Sequence, residues 1–93
     1  MVRVQYFGVI REIAGKRQED FEVSGPRSLL GLLKLLTDKY GHSMEAYLFE
    51  PKSTTPRPIH NFLVNGVVHT AGQISDVTLE KDSAVSIVPT QGG

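Results

Sequence analysis

Hydrophobic and polar residues alternate at the start of the chain, where Val2, Val4 and Tyr6 are separated by Arg3 and Gln5. A period of two sends successive side chains to opposite faces, so residues 2–7 predict a β-strand. Phe7 interrupts the polar half of that alternation, which predicts a second face that is not fully solvated. Gly8 follows, then residues 9–14 with room for one helical turn, closed by Gly15 and the pair Lys16-Arg17. Phe21 and Val23 alternate with Asp20 and Glu22 as a second, half-exposed strand.

The period then changes. Leu29, Leu32, Leu33, Leu36 and Tyr40 recur at helical spacing on one face, and Leu30 and Leu35 widen it. Ser28 stands where a hydroxyl accepts a free backbone N–H, and Gly41 where a left-handed residue ends a helix. Residues 44–49 suit either a short second helix or an irregular apolar segment. Residues 50–58 hold three of the five prolines among polar residues, which predicts an exposed loop.

Residues 59–64 read as a third strand. Asn65-Gly66 is a strong turn signal because both residue types tolerate positive φ, and Val67-Val68 leads out of it. Residues 71–79 read as a crossover anchored by Ile74, Val77 and Leu79. After a turn at Lys81-Asp82, Val85 and Ile87 alternate with Ser86 in a last strand that runs through Val88. Pro89 lacks the N–H a ladder needs, so the strand is expected to stop before it. Strands on both sides of one leucine-rich helix predict an α+β fold, a small mixed sheet with one main amphipathic helix packed on one face.

With 93 residues the chain suits a single domain, residues 1–89, followed by a tail, residues 90–93. Ten basic residues balance ten acidic ones, so no electrostatic footprint for nucleic acid or an anionic membrane is expected. The chain holds no cysteine, which excludes a disulfide framework, Cys-ligated zinc and an Fe–S cluster. A thiol of its own cannot carry sulfur. The N-terminus lacks a basic segment followed by an apolar one, and Gly31 and Lys34 break the longest leucine-rich stretch. A cytoplasmic protein is the expectation.

Few side chains suggest chemistry. His42, His60 and His69 are scattered without ligand spacing, so surface or turn positions are expected for them and no metal site. No phosphate-binding glycine loop occurs, so ATP is not expected to bind this chain itself. Asp20 and Glu22 read as a solubilising strand face, not a general acid–base pair, and Ser43 has no evident His-Asp partner. Phe7, Leu63 and Val88 have a strand phase that places them either in ordinary core or on the sheet face away from the helix.

Four segments and the final Gly92-Gly93 together resemble the MoaD/ThiS family of ubiquitin-like sulfur carriers, which is related to small archaeal modifier proteins. Residues 4–15, VQYFGVIREIAG, look like the family's opening strand and following turn. Ser28 to Gly41 is similar to its capped helix ending in Tyr-Gly. Residues 62–66, FLVNG, resemble its V-N-G turn, and residues 79–89, LEKDSAVSIVP, its closing strand. Ser83 stands where glycine is usual and Thr90 where a second proline is usual. The resemblance implies a ubiquitin-like β-grasp.

It also implies a reaction at Gly93. A carboxylate is a poor acyl electrophile. Coupling it to AMP gives a mixed anhydride that sulfide, a persulfide or an amine can attack. Glycine lets such a tail enter a narrow channel and leaves the acyl carbon unhindered. By chance alone two consecutive glycines end only ~0.5 % of chains at a usual glycine content of ~7 %. The resemblance implies adenylation by an E1-like enzyme of the MoeB/ThiF type using ATP and Mg²⁺, with no cofactor held by this chain. The thiocarboxylate would supply sulfur to molybdopterin, this chain being the small subunit beside a MoaE-like large subunit rather than a stand-alone enzyme. The rival is a protein modifier joined through Gly93 to lysines of target proteins; a thiazole-pathway carrier and a non-covalent adapter are further readings. Docking is expected at Phe7, Leu63, Val88 and Pro89. Arg11 matches the family's loop arginine, which makes either a partner salt bridge or a solvated loop charge.

Overall fold

The computed structural model describes residues 1–22, 27–53 and 55–89. Val23 and the tail, residues 90–93, lie outside the described residues. In chain order the elements are β1 (Val2–Tyr6), α1 (Val9–Ala14), β2 (Gln18–Phe21), β3 (Arg27–Ser28), α2 (Leu29–Tyr40), α3 (His42–Leu48), β4 (His60–Val64), β5 (Val67–Thr70), a 3₁₀ helix (Ala71–Asp76), β6 (Thr78–Leu79) and β7 (Ala84–Pro89). Five strands form one mixed sheet in the order β2-β1-β7-β4-β5. The pair β1–β7 is parallel and the other neighbours are antiparallel.

Alternation sets what each face holds. Val2, Val4 and Tyr6 of β1, Val85 and Ile87 of β7, and Phe62 and Val64 of β4 are buried on the inner face. They meet Leu29, Leu32, Leu33 and Leu36 of α2, all fully buried as the leucine spacing predicts. The Ser28 hydroxyl accepts from the Gly31 N–H at 2.9 Å and caps that helix. Gly41 ends it with φ 80°, and its N–H donates to the Thr37 carbonyl at 2.8 Å. Its ψ of −153° is not left-handed helical as expected, and it turns the chain directly into α3. The apolar run at 44–49 therefore resolves as helix through Leu48, with Met44 and Leu48 buried and Phe49 extended beyond it.

Other departures trace to contacts distant in sequence. The crossover carries a short ladder, β3 with β6, that no local pattern announced. Its 3₁₀ helix is opened by a reciprocal cap between Thr70 and Gln73. Ile74 and Leu79 are core residues and Val77 packs at the core's edge. Strand β7 continues through Pro89, opposite His60, one residue further than expected. A terminal strand position tolerates the missing N–H because the ladder need not continue past it.

Glu19 went unremarked in the sequence because its neighbours, Asp20 and Glu22, look equally exposed. Asp20 is exposed and paired with Arg3 at 3.0 Å, and Glu22 is exposed. Glu19 points the other way, its side chain only 8 % exposed. Its carboxylate accepts from the Tyr6 hydroxyl at 2.6 Å, from the Tyr40 hydroxyl and from the Lys39 ammonium, with Lys16 at 3.6 Å. Burial alone would raise its pKa, but these donors outweigh burial and hold it at about 2. Burial and the carboxylate together push Tyr40 up to about 12.

One anion thus ties β1, β2 and the end of α2. Its ionised form contributes stability above its ordinary value of 4.5, and that contribution is lost as pH falls from there towards about 2. Glu19→Gln is expected to cost ~1.5–3 kcal/mol at neutral pH, the size of a hydrogen bond to a charged group. In urea unfolding the gap between variant and wild type should close across that acid window.

Candidate functional site

The chemistry implied for the tail focuses attention on the place it leaves the body. β7 is the central strand, and its last pair, His60 with Pro89, fixes that point. Tyr6 pairs with Ile87 in parallel register, so Phe7 comes one step further, beside Val88. Gly8, at φ 71°, then turns the chain into α1, and Gly15, left-handed at φ 74°, closes that helix. The tail root is therefore flanked by the end of β1, the start of α1 and the start of β4.

None of Phe7, Leu63 and Val88 belongs to the buried core. Phe7 is 37 % exposed, while Leu63 and Val88 are half-buried on the outer sheet face. Register explains the grouping. Leu63 lies opposite both Val68 and Ser86, and Asn61 lies opposite Val88, so Leu63, Val68 and Val88 share that face. Val68, 56 % exposed, was legible in principle. Asn65 at φ 51° and Gly66 at φ 87° make a two-residue hairpin turn, which fixes the pairing of Leu63 with Val68.

Arg11 corrects the expectation of a loop charge. It sits in α1, half-buried, and its Nε donates to the Tyr6 carbonyl at 3.1 Å. Its guanidinium lies 5.6 Å from the Phe7 ring centroid, a cation–π contact that holds the ring at the tail root. Gly92 and Gly93 lie outside the described residues. Of Pro89 the structure gives its place at the end of β7.

His60 corrects the expectation for histidines. It is buried on the inner face, with Nε2 2.7 Å from the Tyr47 carbonyl and its ring edge-on to Tyr47 and Phe62. Burial first, with Arg57 adding to it, pushes its pKa down against the opposing backbone bond, so the neutral ring is favoured. His42 and His69 stay outside the core. Among the described residues no three His, Cys, Asp or Glu side chains group as a metal site. An open groove of about 830 Å³ runs between α3 and the following loop, lined by His42, Glu45, Phe49, Glu50, Lys52 and Arg57. Arg57 lines one side of it, its Nε donating to the Ala46 carbonyl at 2.8 Å. Its charges are of mixed sign and do not converge on one point. No helix among the described residues is long and apolar enough to cross a membrane.

This architecture is a ubiquitin-like β-grasp, as solved relatives in fold make plain. Urm1 from Trypanosoma brucei superposes with TM-score 0.79 at 24 % identity, over 99 % of this chain and 93 % of that one. The small archaeal modifier protein SAMP1 of Methanosarcina acetivorans gives 0.75 at 25 % identity, over 99 % and 94 %. A Pyrococcus furiosus protein designated molybdopterin converting factor, subunit 1, gives 0.71 at 21 % identity, over 95 % and 94 %. No curated protein matches by sequence. The model of the ThiS family matches residues 4–93, and the chain belongs to that family of ubiquitin-like sulfur carriers and modifiers.

The two sheet faces predict different tolerances. Phe62→Thr, which empties a core position, should cost at least ~3 kcal/mol. Val68→Thr on the outer face should stay within ~0.5 kcal/mol. Chemical denaturation of both variants checks this division.

Proposed function

We propose that this chain is a sulfur carrier whose Gly93 carboxylate is activated by a separate E1-like enzyme. The observation that carries this reading is a family match extending through Gly93, on a body whose central strand ends at the tail root. The carboxylate attacks the α-phosphate of ATP, which the partner holds with Mg²⁺, and pyrophosphate leaves. Sulfide or a persulfide sulfur then attacks the acyl carbon and AMP leaves, giving a thiocarboxylate once any persulfide bond is reduced by a thiol. In the molybdopterin pathway this chain would then enter a MoaE-like large subunit, which binds the pterin precursor while Gly93 delivers sulfur. Activation in trans accords with the absence of a phosphate-binding loop in the sequence. We place the reaction in the cytoplasm.

A second reading shares every step up to the adenylate. The likeness to a small archaeal modifier protein favours it. There a lysine amine of a target protein attacks in place of sulfur, AMP leaves, and an isopeptide forms.

The test is the intact mass of the chain purified from its own host with an untagged C-terminus. One oxygen replaced by sulfur, mapped to Gly93, is the expected result. Isopeptides between Gly93 and target lysines would favour the modifier instead. Deleting Gly93 or adding a C-terminal tag should abolish either product while leaving the urea unfolding midpoint unchanged. Continued modification of the deleted chain would overturn both readings.

A further inference from the structure

The five-stranded sheet has two free edges, and they are built differently. β2 ends one side and β5 the other. β2 carries Asp20 exposed and Glu19 turned inward, and charges placed on or under an edge discourage a foreign strand from pairing there. β5 reads Val-Val-His-Thr, with no acid, no lysine or arginine and no proline. Val67 and Val68 are 58 % and 56 % exposed, more than any other large hydrophobic side chain among the described residues.

Register tells which backbone groups that edge offers. The Asn65 N–H donates to the Ala84 carbonyl at 2.8 Å, so the odd-numbered residues of β4 bond to β7, while Phe62 and Val64 bond to β5. Their partners there are His69 and Val67. Val68 lies between these two, so its N–H and C=O point to the open side, where the sheet has no further strand. The Thr70 N–H points the same way and donates to Gln73 Oε1 at 3.1 Å. The open part of the edge is thus short and centred on Val68.

We propose that two copies of this chain pair through β5, antiparallel, about a two-fold axis at Val68. The two Val68 residues exchange a pair of N–H···O=C bonds, and the sheets join into one. Val68 then lies against Val68 of the second copy on the outer face, and Val67 against His69 of the second copy on the inner one. Charge favours a second copy as the occupant. A two-fold contact sets each patch against itself, which a strand without acids or fixed cations permits and a charged one resists. The chain carries no net charge, so copies approach without long-range repulsion. Pairing closes at two, because the edge left free on each copy is the charged β2. The 4 residues of β5 on each side bury well under the ~1,200 Å² at the low end of specific interfaces, so the dimer is weak and forms as concentration rises. β5 and β7 both run antiparallel to β4. Reversing β5 across the axis reverses β7 as well, so the two central strands end on opposite sides of the dimer and neither end is covered by the pairing.

Sedimentation equilibrium of the full chain at mildly alkaline pH, where histidine is neutral, reads the mass between ~10 µM and ~1 mM. It should climb from one chain towards two and stop there. Val68→Lys sets two ammonium groups side by side at the axis and should raise the dissociation constant ~10-fold or more. Val9→Lys, at an exposed valine away from the edge, should stay within ~2-fold of wild type. Urea unfolding midpoints show that each variant is folded. The chain has no cysteine of its own, so Val68→Cys gives a second reading. Mild oxidation should link it into a disulfide dimer, while Ile59→Cys, at a position 48 % exposed, stays single. A mass that stays at one chain throughout, a dimer that survives Val68→Lys, or association that runs past two copies would each overturn the pairing. So would oxidation that links Ile59→Cys as readily as Val68→Cys. A chain that is single when pure, yet has its Val68 N–H protected from exchange in host extract, would assign the edge to a strand of another protein and overturn the pairing likewise.

Discussion

The parallel ladder between β1 and β7 is the pairing on which the rest of the structure depends. It joins Gln5 to Ser86, 81 positions apart, and Ser86 Oγ reinforces the match by donating to Gln5 Oε1 at 3.1 Å. Closing so long a loop carries a large entropic cost, offset here by burying Val4, Tyr6, Val85 and Ile87 beneath α2. With β4 on its other side, β7 has no free edge. The strand that leads to the C-terminal tail is thereby held on both edges at the middle of the sheet.

That arrangement separates holding from presenting. The inner face carries the leucines of α2 and the Glu19 knot, which fix where β1, β2 and the helix end meet. The outer face carries lighter polar pairs, Arg3 with Asp20 and Ser86 with Gln5, beside the half-buried Leu63 and Val88. Arg11 belongs to both sides: one N–H secures the Tyr6 carbonyl, while the guanidinium plane steadies the Phe7 ring at the tail root.

Features written in local patterns were legible in the sequence. Leucine spacing and the Ser28 hydroxyl defined α2, and Asn65-Gly66 defined the hairpin between β4 and β5. The outer-face position of Leu63 and Val88 was one of two alternatives that period two left open, and only register decided it. Glu19 and His60 were opaque for one reason. Each is a polar residue whose burial is made tolerable by groups far along the chain, Tyr40 and Lys39 for one and the Tyr47 carbonyl for the other. No local hydrophobic period links either residue to its partners. The β3–β6 ladder escaped notice because two residues are too few to show a period.

The late position of β7 along the chain has a consequence for synthesis. A ribosome delivers β1, the helices and β4 before Ala84–Pro89 exist, so the nascent domain lacks its middle strand until β7 itself is made. Until then β1 and β4 have no common neighbour, and the surface around Pro89 cannot assemble. Completion of the sheet and of the surface beside the end of β7 therefore coincide, and a half-made copy has neither.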